Sequence, residues 1–216
     1  MGYAGAVQAE GASSTGGRRR RGRPVTRPRQ QERILEAGAR LIHAKGFQAT
    51  TIQDVADELE FSKAAFYYFV RNKEDLLYQI LLRTLTGALE LVTAIARGPG
   101  SPDTKLLQVV DAYVRMIAER PETFSVYFRE RAHLAPPHRE EATALERVIV
   151  TELRRLYAAG VEAGRLRDVP ADAAVFGLLG MCFWTYEWFR PDGRLGAAQV
   201  SEALQAIVAH GAVVPA

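Results

Sequence analysis

The chain has a single cysteine, Cys182, among 216 residues, which excludes an internal disulfide framework and any cysteine-pair metal site. A reducing cytoplasm is the compartment this implies. Four histidines, His43, His133, His138 and His210, stand without paired carboxylates at ligand spacing, so no metal and no other cofactor is expected. Neither a nucleophile motif nor a phosphate-binding glycine loop is present, and no catalytic residue is assigned. Apolar runs are short as well. The longest, 173–186, is bounded by Asp172 and Glu187 and falls short of a bilayer span, and residues 1–17 lack the apolar centre of a signal peptide. No membrane partner is expected.

What is present is the composition of a soluble globular protein, 48% hydrophobic and 25% charged, long enough for a small domain and a larger one. The net charge of +3 hides an asymmetry. Residues 1–29 hold seven arginines against one acid, Glu10, so the rest of the chain is net acidic. Residues 1–17 are low-complexity, and 1–28 reads as a disordered basic arm. Within it, Arg21-Gly22-Arg23-Pro24 resembles the core of an AT-hook, whose arginines enter the narrow minor groove. The plainer alternative is a flexible tail that adds only general attraction to phosphate.

Periodicity predicts helices throughout, an all-α chain. The densest information lies in 50–76. Ile52, Val55, Ala56 and Leu59 fall on one helical face, and Thr51 with Asp54 resembles a capping box. A second short helix opens at Ser62, a natural N-cap. Two helices of about two turns joined by about three residues fit a helix-turn-helix, whose second helix enters the major groove of DNA. Phe66 and Val70 are expected to face inward, leaving Lys63, Ala64, Ala65, Tyr67 and Tyr68 toward DNA. Lysine donates to guanine, alanine touches a thymine methyl, and tyrosine hydroxyls reach phosphates or base edges. The alternative for the two tyrosines is core packing.

The segment from about Arg33 to Ile80 resembles the DNA-binding domain of TetR-family transcriptional regulators. The resemblance rests on Arg33 to Ala37, Leu41, Lys45-Gly46-Phe47, Ala49-Thr50-Thr51, the Ser62-Lys63 to Tyr67-Tyr68 run and Asn72 to Leu76, in order and at family spacing. It implies base or backbone contacts from Lys63, Ala64, Tyr67 and Tyr68, and phosphate contacts at the positions of Ala65 and Lys73. Thr51 and Gln53, at the start of their helix, are expected to meet phosphate too. The sequence departs from the pattern at Glu60-Phe61, where the family usually has Gly-Val, and at Phe69, where it often has His. A left-handed turn is costlier at Glu60 than at glycine. Residues 30–77 carry six basic and eight acidic side chains, so specific contacts and the arginine arm must supply the attraction to double-stranded DNA.

The resulting layout is 29–77 as a three-helix DNA-binding domain and 78–216 as a larger helical effector-binding and dimerisation domain. One long helix from Lys73 to about Arg97 couples them. Ala173 to Phe189 is apolar almost all round and must be covered on several sides; it and the last helix suit a symmetric homodimer interface, as the matching helices form in the family. Tyr113, Met116, Phe124, Tyr127, Phe128, Met181, Phe183, Trp184 and Trp188 supply the side chains of an apolar pocket, or of simple core.

The run Cys182 to Leu195 is similar to the end of TetR-family regulators of fatty-acid, aromatic-acid and steroid degradation, which release DNA on binding acyl-CoA. Under that resemblance Arg115, Arg129 and Arg131 could meet CoA phosphates, or be solvated surface groups. The expected protein is a ligand-responsive repressor; a regulator sensing a drug, antibiotic or pigment without CoA is the main alternative. An enzyme, or an architectural protein using only the basic arm, is more remote.

Overall fold

The computed structural model describes residues 26–212, which form nine α-helices and one 3-10 turn, with no strand among the described residues. α1 (Arg27–Lys45), α2 (Ile52–Glu58) and α3 (Lys63–Tyr67) make the first unit. α1 begins within the stretch read as arm: Arg27 and Pro28 are its first turn, because proline's fixed φ suits the start of a helix. Its apolar stripe buries Ile34, Leu35 and Ile42. The helix ends at Gly46, whose φ of 81° lets the chain turn back so that Phe47 is buried beneath it.

α4 (Lys73–Arg97) runs unbroken across residue 77 and joins the two units. Asn72 Oδ1 accepts the Asp75 N–H at 2.8 Å, capping one orphan donor of the first turn, and the buried Asp75 carboxylate accepts the N–H of Arg71 just before the helix at 2.7 Å. Leu76, Leu77, Ile80, Leu81, Leu85 and Val92 are buried along it, each contributing about 1.5–3 kcal/mol by leaving water. α4 is the one described helix long and apolar enough to cross a bilayer, and here it packs against α1, α5, α6 and α7.

α5 (Pro102–Glu119), α6 (Pro121–Glu130), α7 (Pro136–Glu162), α8 (Ala171–Trp188) and α9 (Ala197–Ala212) complete the second unit. Between α6 and α7, Arg131–His133 forms the 3-10 turn, and Pro136 already starts α7. α8 differs more. The chain itself covers only one face, burying Val175, Leu178, Leu179 and Cys182, while Phe176, Trp184 and Trp188 on the other side are 55%, 62% and 44% exposed.

Candidate nucleic-acid interface

Both short helices are set by local capping. Thr51 Oγ1 accepts the Asp54 N–H at 3.1 Å and Asp54 Oδ2 accepts the Thr51 N–H at 2.9 Å, the expected capping box. That backbone donor holds the Asp54 carboxyl below its usual range. At the other end of α2, the Phe61 N–H bonds to Ala56 O at 2.8 Å and the Glu60 N–H to Asp57 O at 3.1 Å. This is a Schellman closure with Glu60 in the left-handed position at φ 56°, where glycine is the usual occupant. Ser62 Oγ then accepts the Ala65 N–H at 3.2 Å and opens α3.

α3 is short and strictly two-sided. Phe66 and Val70 are fully buried, and Lys63, Ala64, Ala65, Tyr67 and Tyr68 are exposed. At 45% and 64% exposure the tyrosines are surface groups, so the core-packing alternative is removed. Thr51 and Gln53 share the exposed side of α2, although Gln53 Nε2 is engaged by Asp57 Oδ1 at 2.6 Å. Lys73 is placed differently from expectation. Its ammonium donates to the carbonyls of Phe47 and Gln48, both at 3.0 Å, and lies 4.7 Å from the centre of the Phe47 ring. Two of its three donors are committed to the α1–α2 turn, which it ties to the start of α4.

Arg21 and Arg23 lie outside the described residues. The root of the arm does not: the Arg27 guanidinium stands 4.7 Å from the Tyr68 ring centre, a cation–π contact that brings the start of α1 to the end of α3. Sequence reading missed Arg27; the spacing of a helix start from a tyrosine 41 positions on is a tertiary fact.

The side chains proposed for an effector pocket do not converge on one cavity. Tyr113, Phe124 and Tyr127 line a pocket of about 60 Å³ in the core, with Phe183 and Leu179 of α8. Phe128 packs beside it, stacked on Tyr186 with centroids 5.0 Å apart. Met116 instead lines a cleft against α1, and Met181 a groove between α8 and α9. Trp184 and Trp188 stand four residues apart on the exposed face of α8 and are excluded from the interior. An all-apolar helix offers no phase from which its inward side can be read. Arg129 donates to both oxygens of Glu187 at 2.8 Å, Arg115 is paired with Asp111 and Arg131 with Glu146, so all three cations are already neutralised.

The core pocket has one polar wall that sequence reading missed. The Tyr127 hydroxyl donates to Glu146, which also receives Arg131 at 2.9 Å. Burial and the adjacent carboxylate push the Tyr127 phenol up, and burial does the same for Tyr113, so both remain neutral donors. Burial also raises the Cys182 thiol to about 12, which leaves it unreactive near neutrality.

Comparison with known proteins matches residues 34–80 to "Bacterial regulatory proteins, tetR family" and residues 99–212 to "Tetracyclin repressor-like, C-terminal domain". The chain belongs to the TetR family of transcriptional regulators. Among relatives of this TetR-family regulator is the HTH-type transcriptional repressor KstR2 of Rhodococcus jostii, 28% identical over 190 residues, covering 84% of this chain and 90% of the relative. Among solved structures, the TetR-family regulator PfmR from Thermus thermophilus is 34% identical with a TM-score of 0.77, covering 83% of this chain and 98% of its own. AibR, solved with isovaleryl coenzyme A and operator DNA, is 27% identical with a TM-score of 0.73, covering 82% and 97%. The first unit of the TetR-family regulator is therefore its DNA-binding helix-turn-helix, and the second its family C-terminal domain.

Proposed function

We propose that this TetR-family regulator is a cytoplasmic repressor, not an enzyme, that binds a palindromic operator as a homodimer and leaves it when a small hydrophobic effector, an acyl-CoA thioester in the first instance, occupies the second unit. The observation that carries the reading is the surface of α3: Lys63, Tyr67 and Tyr68 exposed together on a helix fixed from behind by the buried Phe66 and Val70. Such a helix offers charge, hydroxyls and small side chains to a major groove without needing to rearrange. Ala64 and Ala65 allow close approach, Thr51 and Gln53 are placed for flanking phosphates, and Arg21 and Arg23 extend the contact into the adjacent groove.

Dimerisation is supported by the bare face of α8 and its neighbour on α9. Phe176, Trp184 and Ile207 are each more than half exposed, an apolar patch of the kind that marks an interface. A two-fold pairing there sets two recognition helices about 34 Å apart or somewhat more, as successive major grooves require. The acyl-CoA effector is supported by the likeness to AibR, which was solved with isovaleryl coenzyme A.

The test is footprinting on the regulator's own promoter region followed by addition of acyl-CoA thioesters. Protection of a palindrome that disappears with a thioester supports the reading. Diffuse protection of A·T-rich sequence, or protection indifferent to every thioester, defeats it.

A further inference from the structure

A cleft of about 630 Å³, about ten times the volume of the core pocket, lies where α1 meets α4 and the α5–α6 turn. Its volume is that of ordinary small-molecule sites. Two arginines from different elements converge in it. Arg83 of α4 and Arg120 at the α5–α6 turn both reach Glu32 Oε1, at 2.5 and 3.2 Å, and both lie 3.9 Å from Glu36 Oε1. Two guanidinium groups aimed at one carboxylate oxygen make an anion seat, and Glu32 of α1 occupies it.

We infer that this cleft receives the anionic head of the effector, a carboxylate or phosphate held by Arg83 and Arg120, while the effector's apolar part passes Phe124 into the core pocket. The inference rests on the effector reading above and assigns where and how that effector sits.

Three observations support it. Thr84 and Phe124 line both the cleft and the core pocket, so the two spaces are separated by little more than one aromatic ring on the first turn of α6. The walls match an amphipathic molecule: charge at Arg83 and Arg120, then Leu35, Ile80 and Met116 on the way inward. The resident anion is weakly held, since all four side chains are 30–44% exposed, and exposed ion pairs contribute only about 0–1 kcal/mol. An incoming anion that accepts both arginines bidentately therefore displaces Glu32 and Glu36 at little cost.

That displacement has a consequence for DNA. Glu32 and Glu36 sit on α1, and the first turn of the same helix carries Arg27 against Tyr68 of the recognition surface. Releasing the two glutamates removes the ion pairs that tie α1 to α4 and to the start of α6, and so shifts the balance of the helix whose first turn meets Tyr68 while its buried apolar stripe stays packed. The ligand thus favours the state in which these pairs are open, the differential contact any linked equilibrium requires.

The experiment measures calorimetric binding of lauroyl-CoA, laurate and CoA to the full chain and to two double variants, Arg83→Gln/Arg120→Gln and Glu32→Gln/Glu36→Gln. Both variants dissolve the same ion pairs, so a purely structural role moves them together. A head-group seat moves them apart: the arginine variant loses about tenfold or more in affinity, the scale of one charge-assisted hydrogen-bond set, and the glutamate variant gains. Arginine dependence seen with laurate identifies a carboxylate head; dependence confined to lauroyl-CoA and CoA identifies phosphate.

Gly87→Phe gives a check that alters no charge. Gly87 lines the cleft, an added Cβ meets nothing within 4 Å, and the substitution favours the helix. It is expected to abolish binding in a protein that melts normally. Lauroyl-CoA releasing operator from wild type and the arginine variant at equal concentration refutes the seat while the effector reading stands. If no probe binds the wild type, both fall.

Discussion

Lys73 lies across Phe47: its ammonium donates to the Phe47 carbonyl at 3.0 Å and sits 4.7 Å from the centre of the same residue's ring. With the second bond to Gln48 O, this one cation ties the start of α4 to the turn between α1 and α2. Lys73→Met is expected to lower the stability of the free protein by about 1–3 kcal/mol, the scale of charged hydrogen bonds removed from two backbone carbonyls. Thermal melting without DNA checks it. A residue that served only phosphate would leave that melt unchanged.

Lys63→Ala/Tyr67→Ala/Tyr68→Ala removes three exposed side chains from α3 and leaves Phe66 in place. Operator affinity is expected to fall by more than about a hundredfold, at roughly 1–3 kcal/mol for each base-reading side chain removed. The melting temperature should hold within a few degrees, because none of the three is buried. Fluorescence anisotropy with a labelled operator reads the first effect and calorimetry the second. Undiminished selective binding would remove α3 as the reading element.

Glu60→Gly relieves a left-handed backbone at φ 56°. The Schellman closure of α2 keeps its two hydrogen bonds, so the strain of about 1–2 kcal/mol is regained less the entropy of an added glycine. A net gain of up to about 1 kcal/mol is expected in urea unfolding. Loss of stability would mean that the Glu60 side chain contributes a contact beyond its backbone.

Asp111 joins α5 to α9. It accepts Arg115 Nε at 2.9 and 2.8 Å and the Ser201 hydroxyl at 2.6 Å, and the Arg115 bond, with Ser201, holds its carboxyl below the usual 3.8. A carboxyl whose folded value is depressed stabilises the fold above its unfolded value and ceases to do so as pH falls through the folded one. Wild type should therefore melt above Asp111→Asn at neutral pH, with the gap closing below pH 3.8. A gap constant down to that region would place the effect elsewhere.

Trp184→Glu puts a charge in the middle of the bare face of α8, where Trp184 is 62% exposed in the single chain. The fold of each chain should survive, and sedimentation should shift toward the monomer. Operator binding should weaken with it, since two half-sites are then engaged independently.

Much of the first unit was legible because its determinants are local. Thr51 with Asp54, Ser62 with Ala65 and Asn72 with Asp75 are each three residues apart, so the caps that bound α2, α3 and α4 are written in short strings. The inward pair Phe66 and Val70 follows from helical spacing alone. Even the departure at Glu60 announced its cost, since the family turn it replaces requires positive φ.

The second unit was legible as helices but not as a site. Tyr113, Phe124 and Tyr127 come together in the core pocket, whereas Met116, Met181, Trp184 and Trp188 disperse. α8 is apolar on every side, so its sequence cannot say which face meets the chain's own core. Arg129 offered a charge with no record of Glu187, 58 positions away, that neutralises it.

By itself, then, the sequence determined the helices, their ends and the outward-facing residues of α3, because these depend on neighbours within one or two turns. Only the tertiary structure decided that Lys73 reaches the Phe47 and Gln48 carbonyls, that Arg27 meets Tyr68, and that Glu32 and Glu36 both face Arg83 and Arg120. Those relationships join residues 25 to 88 positions apart, and such proximity is set by how helices pack, which no local pattern of side chains encodes.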